Sequence, residues 1–198
     1  LVEYFDVDPD LFTSESISSS VSIDMRSDAV KAVIIATILM LLYIWFRFKD
    51  IRFASSAILA LVHDVLVVVT AYALIRISVG STFIACILTI VGYSVNDTIV
   101  IFDRIRENLG SKTSEEALTE VVNQSITQTL TRSINTSLTT FFMVIMLAIL
   151  GVDSVKDFAI PLLVGIICGG YSSVCITGPL WLTIKKRVHT GKGKKAGK

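Results

Sequence analysis

Residues 53–75 read FASSAILALVHDVLVVVTAYALI, an apolar run with a histidine and an aspartate, His63 and Asp64, at its middle. About 20 apolar residues in a helix cross a bilayer core of roughly 30 Å. Inside hydrocarbon every backbone N–H and C=O must be bonded within the protein, so a run of this kind is a helix. Four further runs qualify or nearly qualify: 29–48, 79–102, 134–150 and 158–184. None alternates with the two-residue period of a membrane barrel strand. The expected fold is an all-α membrane protein, a five-span helix bundle over 28–184. A segment 1–27 precedes it and a basic tail 185–198 follows.

Composition points the same way. Of the 198 residues 53% are apolar, and the mean hydropathy is +0.71. The formal net charge of +1 gives no global basic field, and no nucleic-acid partner is expected. No Walker loop, GxSxG or HExxH is present, so the chain reads as a transport component and not as an enzyme. Cys86, Cys168 and Cys175 lie inside apolar runs without metal-ligand spacing. They read as small packing residues. No cofactor and no metal is expected.

The loops orient the bundle. Fourteen of the 18 lysines and arginines fall after spans one, three and five, against four on the other side. The positive-inside rule then places the N-terminal segment outside and the C-terminal tail in the cytoplasm. Residues 1–27 are expected to be an exported segment, the last piece of a larger extracytoplasmic domain, with the chain itself part of a longer polypeptide. Ile17, Val21 and Met25 recur every four residues, as in a helix leading into span one; the alternation Val21, Ile23, Met25 also fits a strand. Thr113-Ser-Glu-Glu116 reads as a capping box. It opens a helix lying on the membrane surface before span four, with Ala117, Val121, Ile126 and Leu130 on its apolar side and Leu118, Val122, Ser125 and Thr129 on the other. The Gly-rich basic tail is expected to be disordered and to act as a solvated topology signal, with contact to membrane lipids or ribosomal RNA as the alternative.

The spans hold polar groups that a plain anchor has no need of. A charged side chain at the bilayer centre costs roughly 2.5–3.5 kcal/mol on insertion scales, so it persists only with a partner, a watery cavity or a bound proton. In span three, Thr89, Tyr93, Asn96, Asp97 and Val100 share one helical face. In span four, Arg132, Asn135, Thr136, Thr139 and Thr140 form a second polar stripe. Asp64 reads as the main proton acceptor, with Asp97, Asn96 and Tyr93 as its polar partner face. A structural carboxylate at Asp64, paired with Arg132 or with a polar side chain, is the alternative. Gly165, Gly169, Ser173 and Thr177 repeat every four residues, the small-xxx-small pattern of closely packed membrane helices.

The string Gly92-Tyr-Ser-Val-Asn-Asp-Thr-Ile-Val-Ile-Phe-Asp-Arg-Ile-Arg-Glu-Asn108 resembles the SecF family of the bacterial Sec translocon. The stretch Tyr43 to Phe48, the pair His63-Asp64 within Leu61-Val-His-Asp-Val65, and the stretch Ser125 to Ser137 resemble further pieces of the same family. The resemblance runs from about residue 18 to 187. It implies half of an RND-type pseudo-symmetric transporter, with these five spans matching family spans two to six. It also implies partnership with SecD and with the SecYEG channel, and a secreted polypeptide as cargo. The location implied is the bacterial inner membrane. Late export would be driven by a proton gradient or, since the same groups suit it, a sodium gradient. The implied relay residues are Asp64 with His63 from the HD motif and Asn96, Asp97 and Arg104 from the longer string. An RND exporter of lipids or small molecules and a non-transporting assembly subunit are the other readings.

Overall fold

The structure is a computed structural model that describes residues 19–77, 79–110 and 114–195. All regular structure among the described residues is helical. In chain order the elements are α1 (Ser19–Phe48), α2 (Ile51–Ile75), α3 (Ser81–Leu109), α4 (Glu115–Leu150) and α5 (Asp153–Ser172). A π-helical turn, Ser173–Thr177, then carries α5 without a break into α6 (Gly178–Lys195). Five rods result, and each contains a stretch long and apolar enough to span a membrane. The protein is a multi-pass membrane protein.

Short turns join the rods. Asp50 caps α2, its carboxylate accepting from the Arg52 amide at 2.9 Å and from Arg52 Nε at 3.1 Å. Arg76 closes α2 in the left-handed region, at φ 60°. Ser114 caps α4, its hydroxyl accepting from the Ala117 amide at 3.3 Å. The cap therefore sits one residue later than the expected box. Its third helical residue is alanine, so no reciprocal glutamate bond forms, and Thr113 lies outside the described residues.

The buried axis of the bundle is the pair α3 and α5. α5 packs against α2, α3 and α4, while α1 lies on the periphery against α2 and α3. The approach of the rods is closest at Gly165, one of the small residues of the four-residue repeat. A Cβ on Gly165 would collide with Ile90 of α3 and come within 3.1 Å of Val68 of α2. At the end that carries Arg47, Lys49 and Arg52, an aromatic cluster ties the rods together. Phe53 stacks on Trp181 at 4.8 Å and meets Phe102 edge-on at 4.8 Å; Phe48 joins at 5.2 Å from Phe53. Trp181 is fully buried.

Two sequence expectations change at this level. The helix expected to lie on the membrane surface is continuous with span four, forming the 36-residue α4. Its buried residues are Leu118, Val121, Val122, Ser125 and Thr129, which includes the side expected to be polar. That face packs against α3 and α6: Asn108 donates to Ser125 at 2.9 Å, and Val122 and Ile126 crowd Gly178. Tertiary packing therefore outweighs an ambiguous amphipathic pattern. The tail expected to be disordered continues as α6 to Lys195. Of the leading segment, 19–27 is helical and belongs to α1, while 1–18, Ile17 included, lies outside the described residues.

Candidate functional site

Asp64 is fully buried at the middle of α2. One carboxyl oxygen, Oδ2, accepts from Ser94 Oγ of α3 at 2.6 Å and from Ser172 Oγ of α5 at 2.7 Å. The other, Oδ1, lies 3.1 Å from His63 Nδ1 and 3.6 Å from Cys168 Sγ. Asp97 of α3 is 7% exposed. Its Oδ1 accepts from Ser133 Oγ of α4 at 2.7 Å and its Oδ2 from Ser173 Oγ at 2.5 Å. Neither carboxyl meets a lysine or arginine among the described residues. Their surroundings are hydroxyls, with an imidazole and a thiol added at Asp64.

The backbone explains how one helix serves both groups. Ser172 and Ser173 are consecutive and point to different neighbours. The widened turn begins at Ser173, and the Thr177 hydroxyl donates to the Ser172 carbonyl five residues back at 3.2 Å. Single π-turns of this kind cluster at functional sites. Gly169 keeps the wall thin: a Cβ there would sit 3.8 Å from Asp64 Oδ2 and 3.5 Å from Ser94 Cβ.

The remaining candidates are distributed around these two nests. Tyr93 donates to Ser137 Oγ of α4 at 3.0 Å, not to Asp64. Asn96 is exposed on the outer face of α3. Arg104 belongs to another network, donating to Gln128 Oε1 at 2.6 Å and to Glu107 at 2.5 Å. Arg132, one of the two alternative kinds of partner for Asp64, is exposed, while the other kind, a polar side chain, does meet it in Ser94 and Ser172. In the stripe of α4, Asn135 and Thr139 are exposed as well, while Thr136 and Thr140 are half-buried. Thr136, Thr139 and Thr140 turn their hydroxyls back onto carbonyls four residues earlier, at 2.9, 3.0 and 2.9 Å. Ser133 and Ser137, one position round the helix from the expected stripe, are the α4 groups that meet Asp97 and Tyr93. Sequence reasoning missed Ser94, Ser133 and Ser172 as carboxyl partners and read Ser173 as a packing residue only. It had a signal for Ser94: Ile87, Ile90, Val91, Ser94, Asp97, Thr98 and Ile101 are all buried and recur at three- and four-residue steps.

A seam of hydroxyls around two membrane-buried carboxyls can be compared with known proteins. The family described as "Protein export membrane protein SecD/SecF, C-terminal" matches residues 1–187, nearly the whole chain. The chain belongs to the SecD/SecF C-terminal family. Among its relatives, the protein translocase subunit SecF of Alicyclobacillus acidocaldarius is 44% identical over 80% of this chain and 52% of its own length. SecF of Borreliella burgdorferi is 41% identical over 95% of this chain and 62% of its own. The fused SecDF subunit of Bacillus subtilis is 43% identical over 91% of this chain and 24% of its own. A crystal structure of SecDF in a super-membrane-facing form matches with a TM-score of 0.78 and 41% identity, over 90% of this chain and 24% of that one. The translocon-associated SecDF of Thermus thermophilus matches with a TM-score of 0.79 at 42% identity, over 86% of this chain and 23% of that one. The chain thus spans about half to three fifths of the length of these two SecF relatives. Its five-span bundle is an RND-type membrane fold, and both buried carboxyls of this SecD/SecF domain lie within the matched region.

Proposed function

We propose that this chain is the membrane half of a SecF-like translocase subunit. Working with SecD, it couples an ion gradient to late steps of protein export through SecYEG. The observation that carries the reading is the pair of membrane-buried carboxyls, each held by serine hydroxyls contributed by two other elements. A serine hydroxyl rotates; it donates to a carboxylate and accepts from a carboxylic acid. Such a nest accommodates the charged and the protonated form in turn, which a fixed cation would not. A change of protonation alters the bonds joining α2 and α3 to the α5–π segment, and so gives the bundle two packings to move between. Asp64 is the main acceptor and Asp97 the second. His63, half exposed, is the side chain beside Asp64 through which a proton could pass.

The polar outer face fits a partner. Asn96 and Asn135 are exposed within membrane spans, where uncovered amide groups are costly. SecD, covering that face, would supply the other half of the relay. The same account places the chain in the bacterial inner membrane with the end carrying Arg47, Lys49 and Arg52 in the cytoplasm.

The test uses the full-length protein with SecD in inverted membrane vesicles, reading gradient-dependent completion of secretion while membrane content is measured in parallel. Asp64→Asn keeps size and hydrogen bonding but cannot titrate; it is expected to abolish the gradient-dependent part at normal abundance. Asp64→Glu is expected to retain part of it. Normal secretion by Asp64→Asn at normal abundance overturns the relay. Imposing a sodium gradient alone separates the two candidate ions, since one carboxyl and two hydroxyls also suit sodium.

A further inference from the structure

His63, Asp64 and Cys168 bring one imidazole nitrogen, one carboxyl oxygen and one thiol sulfur together where α2 meets α5. The separations are 3.1 Å between His63 Nδ1 and Asp64 Oδ1, 3.6 Å between Cys168 Sγ and that oxygen, and 3.9 Å between Cys168 Sγ and Nδ1. A point equidistant from the three donors lies about 2.1 Å from each, against bond lengths to zinc of roughly 2.0–2.1 Å for nitrogen, 2.0–2.2 Å for oxygen and 2.3 Å for sulfur. An ion raised slightly out of the donor plane meets all three lengths and keeps a fourth tetrahedral position.

We propose that His63, Asp64 and Cys168 form a three-ligand site for a borderline-soft d10 divalent cation, with Zn²⁺ the fitting ion. The donor set makes the choice: calcium and magnesium take oxygen, Cu(I) favours sulfur, and a mixed N, O, S set at these spacings suits zinc. The carboxyl is already oriented for the task. Ser94 and Ser172 hold Oδ2 and leave Oδ1 turned toward the other two donors. His63 is 42% exposed, so the cluster is not closed off by this chain on the side of its imidazole. On binding, the Cys168 thiol releases its proton to water, and the imidazole binds through unprotonated Nδ1 with its hydrogen on Nε2. The bound ion ties α2 to α5 and occupies an oxygen of Asp64, so it opposes any exchange at that carboxyl. Sequence spacing could not reveal this site, because Cys168 stands 104 residues beyond Asp64. The inference is independent of the gradient-coupling reading, since metal binding is measured without transport.

The experiment titrates the purified full-length protein, kept with its SecD partner in lipid nanodiscs, first with Co²⁺ and then with Zn²⁺. One Co²⁺ per chain is expected, with a thiolate-to-cobalt charge-transfer absorption that Zn²⁺ removes. Cys168→Ser is expected to abolish that absorption, and both Cys168→Ser and His63→Gln to weaken Zn²⁺ binding at least tenfold. Cys86→Ser and Cys175→Ser should change neither. Should Cys168→Ser not accumulate, the wild-type protein itself decides: Zn²⁺ should slow alkylation of Cys168 by N-ethylmaleimide, followed by mass spectrometry. A charge-transfer absorption that survives Cys168→Ser, its absence from the wild-type protein, or equal alkylation of Cys168 with and without Zn²⁺ overturns the proposal.

Discussion

Ser172 and Ser173 are neighbours in the chain yet hold different carboxyl groups, Ser172 bonding Asp64 at 2.7 Å and Ser173 bonding Asp97 at 2.5 Å. Through this pair the α5–π segment connects the acidic residues of α2 and α3. The two aspartates are thus bonded to adjacent residues of one helical segment.

Removing either hydroxyl should weaken one link without emptying the core. Ser172→Ala and Ser173→Ala are each expected to cost about 1–3 kcal/mol, the penalty of leaving a buried polar group short of a partner. Ser173→Ala should cost much less when Asp97 is already alanine. A double-mutant cycle on thermal unfolding in detergent measures this, and additive costs would mean that the Ser173–Asp97 bond contributes nothing.

The glycines of α5 should differ sharply. Gly165→Ala places a methyl group against Ile90 and is expected to destabilise by about 1–3 kcal/mol, as overpacking does. Gly169→Ala meets only ordinary contacts, 3.5 Å and beyond, and should be tolerated; Gly169→Leu should not. Gly92→Ala, with nothing within 4 Å, is the control. Folded yield and melting temperature of the four variants decide, and equal behaviour of Gly165→Ala and Gly92→Ala would place Gly165 away from α3.

Trp181 should separate ring packing from hydrogen bonding. Its indole Nε1 is buried and has no partner among the described residues, while the ring stacks on Phe53. Trp181→Ala is expected to cost about 3–5 kcal/mol, in the range of large aromatic deletions. Trp181→Phe keeps a ring and removes the unpaired donor, so it should cost far less. Equal losses in the two variants, measured by thermal unfolding, would show that the N–H is bonded after all.

Orientation is open to direct labelling. In a protein freed of Cys86, Cys168 and Cys175, a cysteine at Ser27 and one at Arg187, both exposed, should react with an impermeant maleimide from opposite sides of the membrane. Reaction of both from the same side would contradict an odd number of spans.

The number of rods and the presence of an ionisable group inside one of them were legible in the chain, because both are properties of consecutive residues set against a fixed bilayer thickness. Asp64 stands out in its run whatever the rest of the protein does. The small residues facing α3 were legible too, since a four-residue repeat marks one helical face. The boundary of the surface helix was not. Val121 and Val122 give an amphipathic pattern that fits a membrane surface as well as a neighbouring helix, and only α3 and α6 settle which side of α4 is buried.

The partners of the carboxyls were likewise decided by tertiary structure alone. Ser94 and Ser172 lie 30 and 108 residues from Asp64 in sequence. A hydroxyl in a membrane helix can satisfy itself on a carbonyl of its own preceding turn, as Thr136, Thr139 and Thr140 do. Local sequence therefore does not say which hydroxyls turn inward. That choice rests on the rotation of each rod about its axis, on the close approach permitted at Gly165 and Gly169, and on the π-turn at Ser173, which only the packed bundle fixes.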